Sequence, residues 1–298
     1  MRPSKINDII GQEDIKQSLK ICINAASKLD RKIPHMIFQG PPGLGKTTFA
    51  LAVANELDSN CQIINGATVS NPSSIIKALV QSSNKDIVFI DEIHSLPKKV
   101  AETLYMPLED DKLIITEAKK DKTENAIVVP ISPITIIGAT TNTGLMPKPL
   151  LDRMTLKFHL TFYSDKELEN IIQKHTTQNN FTIDEDAKRN LSKRCKGTPR
   201  IASAYLEWIY NFSISKNTRN VSANIVNEAF DLYGVDEKGL DKNDRQYIDT
   251  LKAADRPLGL KTIASLSNLT ENTILEEIEP YLDRIGIIKK LPSGRCLT

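Results

Sequence analysis

The segment Gly40-Pro41-Pro42-Gly43-Leu44-Gly45-Lys46-Thr47 satisfies the spacing G-x-x-x-x-G-K-[ST] in full. That spacing cradles phosphate: Gly43 and Gly45 let the backbone wrap it with N–H groups, and the helix start that follows adds positive potential. Lys46 is placed to reach the β- and γ-phosphates, and the Thr47 hydroxyl to ligate Mg²⁺, with Thr48 next in the same turn. About 45 residues further on, Val88-Phe89-Ile90 delivers Asp91 and Glu92. Asp91 suits the Mg²⁺ shell beside Thr47, directly or through water, and Glu92 suits the orientation of an attacking water. Nucleotide binding alone has no use for Glu92, so the pair favours hydrolysis of ATP.

These groups need a scaffold that brings strand ends together. Three short apolar runs, His35–Phe38, Ile87–Ile90 and Ile134–Gly138, are rich in β-branched or aromatic residues and end at turn or polar residues. Such runs read as strands buried on both faces of a parallel sheet, and their alternation with helical patterns predicts an α/β layer over residues 1–163. From 164 to 239 the pattern is helical. Ser164 with Glu167 forms a capping signature, and Asp184 is expected to cap the next helix. From 240 to 298 three helical patterns precede Ile287–Leu291 and a Pro292-Ser293-Gly294 turn, which suggests a winged helix-turn-helix.

Composition narrows the class. The chain has 298 residues, net charge +2 and 5% aromatics, so neither a whole-protein basic field nor a stacking surface announces nucleic acid. Between 240 and 298 nine basic residues balance nine acidic ones, and only Lys289–Arg295 is locally basic without an acid. Such a tip suits sequence-independent contact with phosphates. Cys22, Cys61, Cys195 and Cys296 are far apart, which speaks against a zinc site or disulfide framework and fits a reducing cytoplasm. No apolar leader and no long apolar run are present, so a membrane protein is not expected.

Taken together, GPPGLGKTT (40–48), FIDEIH (89–94), GATT (138–141) and GTPRIA (197–202) resemble the RuvB family of DNA branch-migration motors, in the AAA+ class. Arg2-Pro3 with Ile10-Gly11-Gln12, Pro257-Leu258-Gly259-Leu260 and Glu279-Pro280-Tyr281-Leu282 carry the likeness to both ends of the chain. The resemblance implies an AAA+ ATPase domain, a small helical lid and a C-terminal winged-helix domain, assembled as a hexameric ring that drives branch migration at Holliday junctions. It implies that Thr141 is sensor 1, with Asn142 the other candidate. Arg153 falls at the finger that acts on ATP held by the neighbouring subunit, and Arg200 at sensor 2. Arg2 and Tyr163 line the nucleotide pocket, and Lys290 and Arg295 contact DNA. Two other readings are a clamp-loader-like ATPase, disfavoured by Glu-Pro-Tyr-Leu, and an ATP-gated DNA-binding regulator, disfavoured by Glu92 and Arg153. The sequence departs from the family at Asn142 and Ser293, where arginines are usual. It departs again at 115–126, a charged segment in place of the apolar hairpin that docks on RuvA. The resemblance implies a RuvA-like junction-binding partner, and the charged hairpin leaves a diverged RuvA, another partner or none as the readings.

Overall fold

A computed structural model describes residues 3–118, 124–179 and 181–298. The chain divides into two compact units. One holds most of the first 161 residues, and the other holds 162–298 together with Pro41–Leu44.

The first unit begins with α1 (Glu13–Lys28) and β1 (Met36–Gln39), followed by α2 (Lys46–Glu56). Next come β2 (Cys61–Asn65), α3 (Ser73–Gln81), β3 (Ile87–Asp91), α4 (Lys98–Thr103) and α5 (Tyr105–Asp110). The hairpin β4 (Lys112–Ala118) and β5 (Glu124–Pro130) leads to β6 (Thr135–Thr140), α6 (Lys148–Arg153) and β7 (Leu156–His159). Among the described residues the sheet has five parallel strands in the order β2-β3-β6-β1-β7. The three runs expected as strands are its centre, and every described residue of β6 is buried. The two edges escaped the sequence reading. β2 leaves Ile63 54% exposed and β7 alternates half-buried with exposed positions, so neither has the continuous apolar run of an interior strand. Phe38 of β1 stacks on Phe49 of α2 at 5.6 Å and on Phe158 of β7 at 5.5 Å, tying the phosphate-loop helix to the sheet. Burial of side chains such as these stabilises the layer by about 1.5–3 kcal/mol each.

Register between β1 and β6 is locked at its lower end by polar groups. Thr135 Oγ1 donates to Ile33 O at 2.8 Å, and Ile136 N donates to His35 Nδ1 at 2.9 Å. Burial, aided by the charge of Lys32, pushes the His35 imidazole down from 6.5 to about 3. In the unfolded chain the same group takes a proton below pH 6.5. Between pH 6.5 and 3 the unfolded state binds the extra proton, so stability falls as pH falls through that window. At pH 5 the loss from this group should be about 2 kcal/mol. Urea unfolding at pH 7 and pH 5 of the wild type and of His35→Asn tests it. An equal pH slope in both proteins would show that His35 is not its source.

The second unit opens with α7 (Asp165–Gln178), β8 (Thr182–Ile183), α8 (Glu185–Arg194), α9 (Pro199–Ser215), β9 (Asn220–Val221) and α10 (Ala223–Tyr233). The capping box at its start is present: Ser164 Oγ accepts from Glu167 N at 3.3 Å, and Glu167 Oε2 accepts from Ser164 N at 2.7 Å. Asp184 stands at the N-cap of α8 but makes no capping bond; its carboxylate accepts from Asn220 Nδ2 at 3.3 Å instead, which clips β8 to β9. The C-terminal part is α11 (Lys242–Lys252), α12 (Leu260–Ser267), α13 (Glu271–Thr273), α14 (Glu279–Arg284) and the hairpin β10 (Ile288–Leu291) and β11 (Gly294–Leu297). It is the winged helix the pattern suggested, with one local difference. Ile274–Ile278 is a π-helical turn between α13 and α14. Pro280 has no N–H to continue an α-helical ladder at that point, and the wider turn accommodates the loss. Tyr247, Ile263, Ile274 and Leu282 are fully buried at its core. No helix of the described residues is long and apolar enough to cross a membrane.

Candidate active site

The register of the sheet sets the chemistry of its C-terminal edge. β1 ends at Gln39, paired with Thr140 of β6, while β3 ends at Asp91, paired with Asn65 of β2. The loop after β1 therefore starts beside the ends of β3 and β6, where open α/β sheets bind ligands. Gly40 has φ +152°, and a Cβ there would lie 2.8 Å from Leu160 O, so the loop can leave the sheet only through glycine. Gly45, at φ +103°, caps α2 with no side-chain bond to its first turn. Those N–H groups are the expected phosphate donors. Lys46 is 7% exposed and its Nζ donates to Gly40 O at 2.7 Å, which folds the ammonium back over the loop. Thr48 is half-buried on the same turn.

Thr47 Oγ1 lies 3.4 Å from Asp91 Oδ2, so a hydroxyl and a carboxylate face one point. Two hard oxygen donors leaving room for water and phosphate oxygens suit Mg²⁺, which keeps most of its ligands outside the protein.

Glu92 has φ +49°, a left-handed conformation that costs a non-glycine residue energy and recurs at active sites. The strained turn is accommodated by Gly66, where a Cβ would meet Glu92 O at 2.5 Å. Glu92 Oε2 is 3.3 Å from His94 Nδ1, and that same nitrogen is 2.9 Å from Thr140 Oγ1. A carboxylate and a hydroxyl thus converge on one imidazole nitrogen at the ends of β3 and β6. From the sequence, sensor 1 falls at Thr141 or Asn142, and His94 carries no assigned role. In the fold Thr140 is the buried residue that touches His94, Thr141 is half-buried beyond it, and Asn142 is exposed with its amide oxygen committed to Gly144 N at 2.8 Å. The signal that would have found Gly66 and Thr140 is tertiary, since strand pairing brings them to Glu92, whereas His94 lies in the same turn two residues on.

Arg153 ends α6 and is held on three sides. Its Nε and Nη2 donate to Glu109 Oε2 at 3.0 and 2.8 Å, its Nη1 donates to Pro149 O at 2.8 Å, and its guanidinium sits 5.0 Å over the Tyr105 ring. Asp152, its neighbour in sequence, is not the partner. A fixed guanidinium is already organised for an anion. Arg2 lies outside the described residues, as do the side chains of 115–126. At the described base of the β4–β5 hairpin, Ile114 pairs with Val128, and both are exposed apolar residues.

In the second unit, Tyr163 is 5% exposed, and its hydroxyl donates to Leu44 O of the phosphate loop at 3.2 Å. Arg200 is exposed at the start of α9, and its N–H donates to Gly43 O at 3.4 Å. In the wing, Lys290 and Arg295 both lie against Glu279, a carboxylate with no solvent exposure. Arg295 Nε is 2.8 Å and Lys290 Nζ 3.0 Å from it, and Tyr247 donates to it at 3.0 Å. Burial works to raise the Glu279 pKa, but the hydrogen bonds from Arg295 and Lys290 prevail and hold it below the usual range. Lys289, on the other face of β10, is exposed and makes no ion pair among the described residues. Glu279→Gln should lower stability by about 1.5–3 kcal/mol, as expected for weakening bonds to a buried charge. Chemical denaturation checks it, and an unchanged midpoint would mean that the three partners hold glutamine equally well.

Models of known families match the chain throughout: the Holliday junction DNA helicase RuvB P-loop domain over 1–160, the RuvB AAA lid domain over 163–236 and the RuvB C-terminal winged helix domain over 237–298. The Holliday junction branch migration complex subunit RuvB of Rhodopirellula baltica is 36% identical, with all of this chain and 82% of that protein covered. That of Fervidobacterium nodosum is 38% identical, with all of this chain and 86% of that protein covered. The solved structure of the Thermotoga maritima RuvB Holliday junction branch migration motor superposes with a TM-score of 0.90 at 32% identity, covering all of this chain and 95% of that one. With the P-loop, lid and winged-helix domains each matched in order along the length, this chain belongs to the RuvB family of P-loop ATPases.

Proposed function

We propose that this protein is an ATP-driven motor that moves the arms of four-way DNA junctions, working as a hexameric ring in the cytoplasm. The observation that carries the reading is the Glu92–His94–Thr140 cluster together with a complete phosphate loop, because a carboxylate held in a strained turn serves hydrolysis and has no role in binding alone. Gly43, Gly45, Lys46, Thr47 and Thr48 hold the ATP phosphates, and Arg2, Tyr163 and Arg200 complete the nucleotide's surroundings. Thr47 and Asp91 hold Mg²⁺, which when bound neutralises charge on the β- and γ-phosphate oxygens. Glu92 positions the water, His94 fixes the carboxylate, and Thr140 or its neighbours Thr141 and Asn142 sense the γ-phosphate. Arg153 acts on ATP bound by a second copy of the chain, which makes hydrolysis depend on assembly. Residues 1–163 supply the ATPase, 164–239 the lid and 240–298 the DNA-bearing winged helix, where Lys290 and Arg295 meet phosphates. The exposed Ile114 and Val128 support a RuvA-like junction-binding partner seated on the hairpin, although the sequence of 115–126 is charged.

The test is ATP turnover with and without a synthetic four-way junction, at matched salt. The reading expects the junction to stimulate turnover. Turnover indifferent to the junction, in a chain that binds both ATP and DNA, would defeat it.

A further inference from the structure

The loop Lys196-Gly197-Thr198-Pro199-Arg200 is gripped from two sides within one unit of the fold. On one side it meets the phosphate loop. A Cβ on Gly43 would lie 2.7 Å from Thr198 Cγ2 and 2.9 Å from Arg200 Cβ, so the two loops touch backbone to side chain with no space between them. Gly197 O accepts from Tyr163 N at 2.9 Å, and the hydroxyl of that tyrosine holds Leu44 O. On the other side the loop meets the winged helix. Lys196 is 7% exposed, and its ammonium pairs with Asp244 and, at 3.1 Å, with Asp241. Gly197, at φ +69°, lies flat against the Arg284 guanidinium, which stacks on Phe162 at 4.3 Å and on Tyr281 at 5.2 Å.

Asp241 and Asp244 are the capping box that starts α11. Asp244 has no solvent exposure, and its Oδ1 has no hydrogen-bond partner among the described residues, so Lys196 is the cation that compensates its charge. Withdrawing that ammonium would leave a buried carboxylate unpaired, which is costly, so loop and helix move together or not at all. One turn along α11, Tyr247 donates to Glu279, and Glu279 holds Lys290 and Arg295 of the wing. A continuous line of contacts runs from Gly43 through Lys196 and Asp244 to the basic residues of the hairpin.

We propose that Lys196 is a positioning residue that couples the state of the phosphate loop to the wing, acting through Asp244, α11 and Glu279. The proposal rests on the motor reading above, because it supposes that the wing holds DNA. A coupling of this kind is reciprocal: nucleotide changes junction affinity by the factor by which junction changes nucleotide affinity.

The experiment uses the full chain and measures affinity for a synthetic four-way junction with ADP and with a non-hydrolysable ATP analogue. The ratio of the two is the coupling. Lys196→Met with Asp244→Asn removes both charges while leaving an amide oxygen to accept from Asp241 N, and Lys196→Arg keeps the cation. The wild type and Lys196→Arg are expected to show a ratio of at least about fivefold. The double variant is expected to fall below about twofold, with nucleotide-free junction affinity and DNA-free ATP turnover unchanged within the same twofold margin. A double variant that keeps the wild-type ratio overturns the proposal, as does one that loses the ratio together with nucleotide-free affinity or DNA-free turnover, since that marks a structural role. A wild type that binds no junction, or shows no ratio while its turnover ignores DNA, overturns the motor reading and the proposal with it; a wild type whose turnover is stimulated but whose ratio is unity overturns the proposal alone. Should the double variant not fold, Tyr247→Phe breaks the same line without burying a charge. Its ratio must fall at least about twofold for the proposal to stand.

Discussion

Arg153→Ala should lower ATP turnover by about 10³- to 10⁵-fold, the range spanned by arginine fingers in phosphoryl transfer. The transition state spreads negative charge over the equatorial oxygens of the γ-phosphate, and a guanidinium is worth most when it is already fixed where that charge develops. Glu109, Pro149 O and the Tyr105 ring fix this one. Those contacts lie in its own chain, but the phosphate it serves is proposed to lie in the next. ATP affinity of the isolated chain should then be little changed, and binding of a fluorescent ATP analogue measures that separately from turnover. A variant that hydrolyses ATP within tenfold of the wild type would remove Arg153 from the reaction.

Glu92→Gln should cost about 10²- to 10⁴-fold in turnover while ATP binding persists, since it keeps the shape of the side chain and removes the group proposed to position and polarise water. The left-handed turn at Glu92 and its contact with His94 are expected to survive, because Gly66 makes the room for the backbone and not for the side chain. The two variants also test each other. A site built from the intact Glu92 of an Arg153→Ala chain and the intact Arg153 of a Glu92→Gln chain is complete. Mixing two inactive proteins should therefore restore turnover if the finger acts between subunits. A mixture that assembles and stays inactive would place Arg153 in its own chain's site or outside the chemistry.

By itself the sequence determined the parts whose chemistry is local. The phosphate loop needs glycines, a lysine and a hydroxyl at fixed offsets, because one turn and one helix start make the whole cradle, so Gly40–Thr47 is legible without a fold. The interior strands were equally legible, since burial on both faces demands unbroken apolar runs, and the Ser164–Glu167 box because both partners lie within one turn. Tertiary structure decided what depends on distant segments meeting. Strand order placed Thr140 against His94 in the turn that starts at Glu92 and gave the edges β2 and β7 patterns too mixed to read. It gave Arg153 to Glu109 rather than to its neighbour Asp152, and Asp184 to Asn220 rather than to the helix it precedes. It also set the apparently free wing cations on a buried glutamate and sealed Lys196 against Asp244. For Glu279 and for Lys196 with Asp244 desolvation is the reason, since a charge taken from water must find its partner wherever the packing brings one; for the half-buried Arg153 and the exposed Asp184 it is the meeting of distant segments, and chain spacing records neither.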